Sequence, residues 1–451
     1  MRAFWRSFKE ITRYPTAVVG MVMIVLLVIL SIVVVIAIPY EEAIYIWRGS
    51  EDTTYHNPKN APPAWTNLFN ELKKPESMWI LSSDLDDERV SFTPGTSNQG
   101  FPDDTYVFTF DYNYDYFPQE LSVYFNNEFE EKGPFMSLMW YKPDGSEVRI
   151  GDFGVAEKQT YRFNQDEKLQ KRLKGVEPII GMFMDPESDP ENPTVLKGTY
   201  QLEIKSLAFE ADTQVSAELV MHGLVHGIAG TDNMRRDISL ALLWGTPIAL
   251  VFGLVAAVGT SVLTMVIAGI GVWYGGVVDA LIQRITEINM VLPFLSILVM
   301  IGTFYSKDIW VILGATIALS IFTGGIKNYR AIFMQVKQST YIEAAQTYGA
   351  GDWRIIILYL IPRVVPMLIP GLVLSVPAFV FLEASLAVLG LGDPVLPTWG
   401  KLINSAGVAA LYNGFYYWLL EPMVLLMVTG FAFAMLGFSL DRIFNPRLRG
   451  Q

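Results

Sequence analysis

Side chains able to do covalent or metal chemistry are scarce in this chain. It has no cysteine and three histidines, His56, His222 and His226. Thiolate chemistry is therefore excluded, and the histidines are too few and scattered for zinc ligation at ordinary spacing. Asp111-x-Asn113-x-Asp115 opens like a calcium loop, but Tyr116 stands at the turn-glycine position and Ser122 where the bidentate Glu belongs. Gly400-Lys401 is followed by Leu402, with Val395 at the first glycine position, so the phosphate-binding GxxxxGK[ST] loop is missing. No Ser/His/Asp or Cys/His set is available, and no basic patch suits nucleic acid. No catalytic residue and no metal ligand are expected. The informative spacing is Glu343-Ala344-Ala345-x-x-x-Gly349, nine further residues, then Tyr359-Leu360-Ile361-Pro362. A short helix over Tyr341–Tyr348 would end at Gly349, which reaches the left-handed conformation that turns the chain. Glu343 is available for a polar contact, and Ala344 and Ala345 keep a helical face shallow enough for a partner to approach closely. Pro362, with Pro366, marks entry to the next apolar run. Glu383 is the clearest carboxylate inside such a run; at mid-membrane it costs about 2.5–3.5 kcal/mol, so it is expected at a subunit interface or along an aqueous path rather than against lipid.

The elements that would position these residues are membrane helices. Of 451 residues, 51% are hydrophobic, and they fall in blocks. Thr16 to Ile38 is a 23-residue run without charge, roughly 34 Å of helix against a hydrocarbon core of about 30 Å. It exceeds a signal-peptide core and lacks a small-x-small cleavage site, so it reads as an uncleaved anchor. Further spans are expected at Trp244–Tyr274, Ile288–Phe304, Ile309–Ile326, Val364–Gly390 and Pro422–Ile443, six in all with the first. Arg2, Arg6, Lys9 and Arg13 precede the first span; Lys327, Arg330, Lys337, Arg354 and Arg363 lie between the fourth and fifth; Arg442, Arg447 and Arg449 follow the last. Their placement predicts that both termini and the 327–363 loop are cytoplasmic.

Between the first two spans lies a different kind of sequence. Pro39 to Ile238 holds 18 Lys/Arg against 35 Asp/Glu, whereas the remainder holds 15 against 10. An acidic polar domain is thus attached to a mildly basic membrane body, and it falls on the outer side. In TYVFTFDYNYDYF, Tyr106, Phe108, Phe110, Tyr112, Tyr114 and Tyr116 recur with period two and share one sheet face. They predict the packed inner face of a sheet; a sugar-stacking platform is the sharper alternative. Pro143-Asp144-Gly145 between two apolar runs signals a hairpin, and Tyr200, Leu202 and Ile204 alternate again. A β-rich, sandwich-like extracytoplasmic domain is expected over 39–225. It is flanked by a cytoplasmic segment 1–15, a transmembrane helix 16–38, and a five-span core 226–451.

The Glu343–Pro362 pattern resembles the EAA signature of membrane subunits of ATP-binding-cassette importers, with Tyr359 and Ile361 where that family prefers Ile and Leu. His226-Gly-Ile-Ala-Gly-Thr-Asp-Asn-Met-Arg-Arg-Asp237, Phe381–Gly392 followed by Pro397-Thr398-Trp399-Gly400, and Asn445-Pro446-Arg447-Leu448-Arg449 resemble the C-type permease of the dipeptide/oligopeptide/nickel branch. The likeness covers about half the chain, His222 to Gly450. It implies a six-helix permease fold of the type I importers, carrying 39–225 as an insertion, in the cell membrane. Partners would be a homologous second permease, two ATPase subunits holding ATP and Mg, and an extracytoplasmic binding protein; this chain itself needs no cofactor and is no enzyme. Glu343, Ala344, Ala345, Gly349 and Pro362 would couple it to the ATPases. Import of peptides is the leading expectation, with oligosaccharide import and a membrane-anchored receptor as alternatives. One departure stands out: Arg235 replaces the glycine of the family's GTDxxGRD, leaving the geometry of that turn open.

Overall fold

A computed structural model describes residues 14–444 apart from 85, 98, 99 and 190. The basic N-terminal segment 1–13 and the Asn445–Arg449 motif lie outside the described residues. The chain divides into two compact units, Gly49–Ser239 and the remainder. The boundary falls later than 39–225 at both ends. Tyr40–Arg48 is a helix whose Ala43 and Trp47 are buried, with Tyr40 edge-on to Trp244 in the helical unit. At the other end, residues 226–237 stay in the polar unit through backbone bonds, Thr231 N–H to the Ala61 carbonyl (2.8 Å) and His226 N–H to that of Pro62 (2.9 Å).

The helical unit opens with α1 (Pro15–Ala37) and α2 (Tyr40–Arg48). Pro15 starts α1 well, because the first-turn N–H it lacks would be unpaired anyway.

The Gly49–Ser239 unit is a sandwich of two antiparallel sheets. Its strands are β1 (Met78–Leu81), β2 (Val90–Thr93), β3 (Asp103–Tyr112), β4 (Glu120–Asn126), β5 (Phe135–Tyr141), β6 (Glu147–Gly154) and β7 (Lys158–Arg162). Two short helices follow, α3 (Glu167–Arg172) and α4 (Pro178–Phe183), then β8 (Gly198–Leu207) and β9 (Ala217–His222). One sheet runs β1-β9-β4-β7, the other β2-β3-β8-β5-β6. Period two does the sorting: Phe108, Phe110 and Tyr112 of β3 meet Tyr200, Leu202 and Ile204 of β8 in a single core with Trp140, Val123 and Leu219. Tyr112, Trp140, Phe183 and Tyr200 form an aromatic nest at its centre. The aromatic stripe therefore packs the interior and offers no stacking platform. The strand ends at Tyr112, but Tyr114 still packs against this core, edge-on to Tyr112. Asp115 exchanges backbone and carboxylate bonds with Lys73 (3.0 and 2.7 Å), which draws the chain off the ladder and leaves Tyr116 exposed.

The helical unit continues with α5 (Ile238–Tyr274), α6 (Gly276–Val291), α7 (Phe294–Phe304), α8 (Ile309–Ile321), α9 (Gly324–Lys337), α10 (Thr340–Thr347), α11 (Ile361–Leu386), α12 (Trp399–Asn413) and α13 (Tyr416–Phe444). Among the described residues, four helices are long and apolar enough to cross a membrane: α1, α5, the continuous Asp352–Leu391 helix that contains α11, and α13. Two bent pairs, α6 with α7 (78°) and α8 with α9 (49°), qualify only when each pair is taken as one span. The first break has a local cause. Pro293 forces Leu292 into extended backbone (φ −69°, ψ 138°). The second, at Phe322-Thr323, frees backbone carbonyls, and the Asn289 amide donates to those of Leu319 and Phe322 at 2.8 Å each.

Pro362 lies ten residues inside the long Asp352–Leu391 helix and just ahead of the span expected at Val364–Gly390. The reason is a wide turn at Ile356–Leu360, where Ile361 N–H bonds the Ile356 carbonyl five residues back. Such a turn makes room for a proline ring that an α-helical turn would reject.

Candidate functional site

The candidate site is the short helix α10 and the turn that ends it. Gly349 has φ +76°. Its N–H bonds the Gln346 carbonyl (2.9 Å), and Ala350 N–H bonds that of Ala345 (3.0 Å). These paired bonds around a left-handed glycine are a Schellman ending, in which a side chain at the glycine would be strained. Open space surrounds Gly349, so the backbone, not crowding, sets the requirement.

Helical spacing then divides the signature between two faces. Ile342 and Ala345 are buried with Trp273, Ile355 and Ile356, and Ala350 leans on the same cluster. Glu343, Ala344 and Tyr348 are exposed, Tyr348 at 92%. The two alanines thus differ. Ala344 lies on the open face expected for both, whereas Ala345 is turned 100° away and fits the helix against this chain's own Trp273. Trp353, 57% exposed, extends the outer surface one loop further.

What holds α10 in place was not legible from its own residues. Lys337, at the end of α9, donates to the carbonyls of Val272 and Trp273 (2.8 Å each) and lies 5.4 Å from the Trp273 ring centre. It satisfies the last carbonyls of α5 and places a cation at the negative end of that helix. Arg330 of α9 forks onto Asp279 of α6 through two nitrogens (2.6 and 2.8 Å to the nearest oxygens). A lysine in the last turn of one helix was the available signal, but its partner lies 64 residues upstream. The result is a ledge: α10 rests on the Trp273 end of α5, which α9 clamps to α6.

Glu383 lies elsewhere. It is buried within this chain's packing, 7% exposed, with the Thr398 hydroxyl as its polar neighbour. Beside it α12 approaches α11 so closely that a Cβ on Gly400 would sit 2.6 Å from the Ala384 carbonyl. The loop between them is tied by Asp393, whose carboxylate accepts from Val395 N–H (2.9 Å) and Ile309 N–H (3.3 Å). The Lys401 ammonium donates to the Pro394 carbonyl (2.6 Å).

The turn that precedes α5 is also settled. Arg235 adopts φ +61°, the conformation a glycine would favour. Its guanidinium donates to the Asn57 carbonyl (2.7 Å) and to the Glu120 carboxylate (2.5 Å). Arg236 pairs with the buried Asp232 (2.6 Å).

Four helices among the described residues, each long and apolar enough to cross a membrane, with four more joined in two bent pairs, make this an integral membrane protein. Residues 249–450 match the family described as binding-protein-dependent transport system inner membrane component. The oligopeptide transport system permease protein OppC of Bacillus subtilis is 32% identical over 225 residues, 49% of this chain and 72% of that protein. The dipeptide transport system permease protein DppC of the same organism is 29% identical over 221 residues, 49% of this chain and 68% of that protein. The glutathione transport system permease protein GsiD of Pectobacterium atrosepticum is 26% identical over 226 residues, 49% and 72%. The chain belongs to the family of binding-protein-dependent transport inner membrane components.

Proposed function

We infer that this chain is a permease subunit of an ATP-driven importer of peptides. Family membership and the peptide systems to which its relatives belong support the reading. The observation that carries the mechanism is α10, capped at Gly349, seated inward on Trp273 and open outward at Glu343, Ala344 and Tyr348. In this reading α10 docks on one of two ATPase subunits that bind ATP and Mg. Movement on nucleotide binding enters α5 and α9 through the Trp273 ledge, and a second permease completes the path. Counting each bent pair once makes six spans, with termini and α10 in the cytoplasm and the Gly49–Ser239 sandwich outside, near the binding protein that delivers substrate.

The test is Gly349→Asp in the reconstituted complex. The left-handed cap is then strained by about 1 kcal/mol or more, outside the hydrocarbon. Membrane abundance should be normal, while peptide uptake and substrate-stimulated hydrolysis are lost. Wild-type coupling in this variant would remove α10 from the mechanism.

A further inference from the structure

The sandwich carries a cleft of about 930 Å³ that the transport reading leaves unused. It lies on the outer face of the β1-β9-β4-β7 sheet. Pairing explains the placement: Ile80, Leu219 and Val123 turn into the core, so their neighbours Leu81, Glu218 and Tyr124 turn out in one row. The residues 52–56 segment forms one wall and the loop after β1 another.

Its parts are pre-set rather than loose. The Glu218 carboxylate accepts from the Tyr55 hydroxyl (3.0 Å) and pairs with His56 Nε2 (2.6 Å). His56 in turn stacks on Trp79, centres 4.7 Å apart and 14° from parallel. Burial, then the Glu218 charge, pushes the Tyr55 hydroxyl up to about 12, so it stays a donor. Trp79 is thus held flat at the floor and yet 47% exposed. A large aromatic fixed in this way is what ligand sites and binding hot spots use.

Charge is arranged across the width of the sheet. Asp84 stands exposed on the loop that leaves edge strand β1, with Asp52 on the neighbouring wall. Lys158 stands exposed on the opposite edge strand, β7. Three strand spacings separate the edges, roughly 14 Å. An extended chain of about four residues has that length.

We propose that this cleft binds a short zwitterionic peptide of about four residues, its ammonium at Asp84 and Asp52, its carboxylate at Lys158 and an apolar side chain on Trp79. The choice of a peptide rests on the importer reading above; a neutral sugar would use the aromatic floor but neither charged edge.

The experiment is calorimetric titration of the full chain in lipid nanodiscs with Ala-Phe-Ala-Ala and with its N-acetylated and C-amidated forms. The free peptide should bind. Each cap should weaken binding about fivefold, the scale of an exposed ion pair. Trp79→Ala should weaken it at least about tenfold, while Trp79→Phe retains most of the affinity and shows that the fold is intact. In Lys158→Glu, amidation should cease to matter. Wild-type affinity in Trp79→Ala, indifference to both caps, or binding of a neutral tetrasaccharide in place of the peptide would each overturn the proposal. Uptake by the assembled importer separates the two readings. Peptide uptake without cleft binding removes only the cleft, whereas cleft binding without uptake of any peptide removes the importer assignment.

Discussion

The sandwich and the helical unit solve opposite solvent problems with similar residues. In the sandwich, Phe108, Trp140, Tyr200 and Leu219 share one core cluster, while outward positions of β3 and β8 such as Asp111, Gln201 and Lys205 are polar. In the helical unit the apolar residues divide among several smaller clusters between helices, while Leu26 and Ile36 of α1 remain 60% and 75% exposed. Water makes burial the driving force in the first unit. Lipid supplies no such force between helices, so the second relies on close approach of small residues and on polar ties such as Asn289 and Lys337. Damage of different kinds should therefore hurt the two units selectively.

The largest selective effect is expected from Trp140→Ala. Its ring is fully buried and its indole N–H donates to the Met182 carbonyl (3.2 Å). The loss should be about 3–5 kcal/mol, read by thermal unfolding of the fragment 49–239, with membrane insertion of the full chain unchanged. Equal loss of insertion would break the comparison.

Next comes acid sensitivity confined to the sandwich. Burial pushes the His222 imidazole down to about 4; the nearby Arg235 also lowers it, and the bond to the Tyr55 carbonyl opposes both. The folded form stays neutral while the unfolded chain takes a proton near pH 6.5. Stability is then complete above about pH 6.5 and falls as the pH drops towards 4, by roughly 3 kcal/mol. His222→Gln should flatten much of that slope in pH-dependent urea unfolding of the fragment 49–239. Burial lowers His226 as well and adds to the same trend.

Gly400→Val tests the other side. The added atoms would meet the Ala384 carbonyl and the Ala387 side chain at 2.6 Å each. A cost of about 1–3 kcal/mol is expected, seen as a lower melting point of the detergent-solubilised helical unit with the sandwich transition unmoved. The smallest effect is at Arg235. Arg235→Gly and Arg235→Ala both lose the Asn57 and Glu120 bonds, but only Ala keeps the left-handed strain. Gly should be the more stable by about 1 kcal/mol in thermal unfolding of the full chain.

Features with a local period were legible in the sequence. Tyr106 to Tyr112 alternate because a pleated strand must, and Thr16 to Ile38 is uninterrupted because a lipid-facing helix allows it. The α10 helix and its glycine ending were readable for the same reason: a helix end is settled within a few residues. What pairs over distance was not. Nothing in β1 says that Met78 faces Met221, and nothing in α10 says that Trp273 lies beneath it. The α6 helix carries Asp279, Arg284 and Glu287 within 16 residues, too much charge for an apolar span to be read from its sequence. Ala345 differs from the exposed Ala344 because its side of α10 is buried by Trp273, a distant partner that nothing in α10 announces.

Arg235 fastens the turn before α5 to the sandwich. The segment resembling the importer family carries, where a glycine belongs, a residue whose side chain is held by Asn57 and Glu120 of the added domain. Excising that domain would strand the arginine in an unfavourable backbone conformation with its guanidinium abandoned. Removing the sandwich without strain would also take a glycine at position 235. Turn and sandwich are thus interlocked: at this point neither can be altered alone without loss to the other.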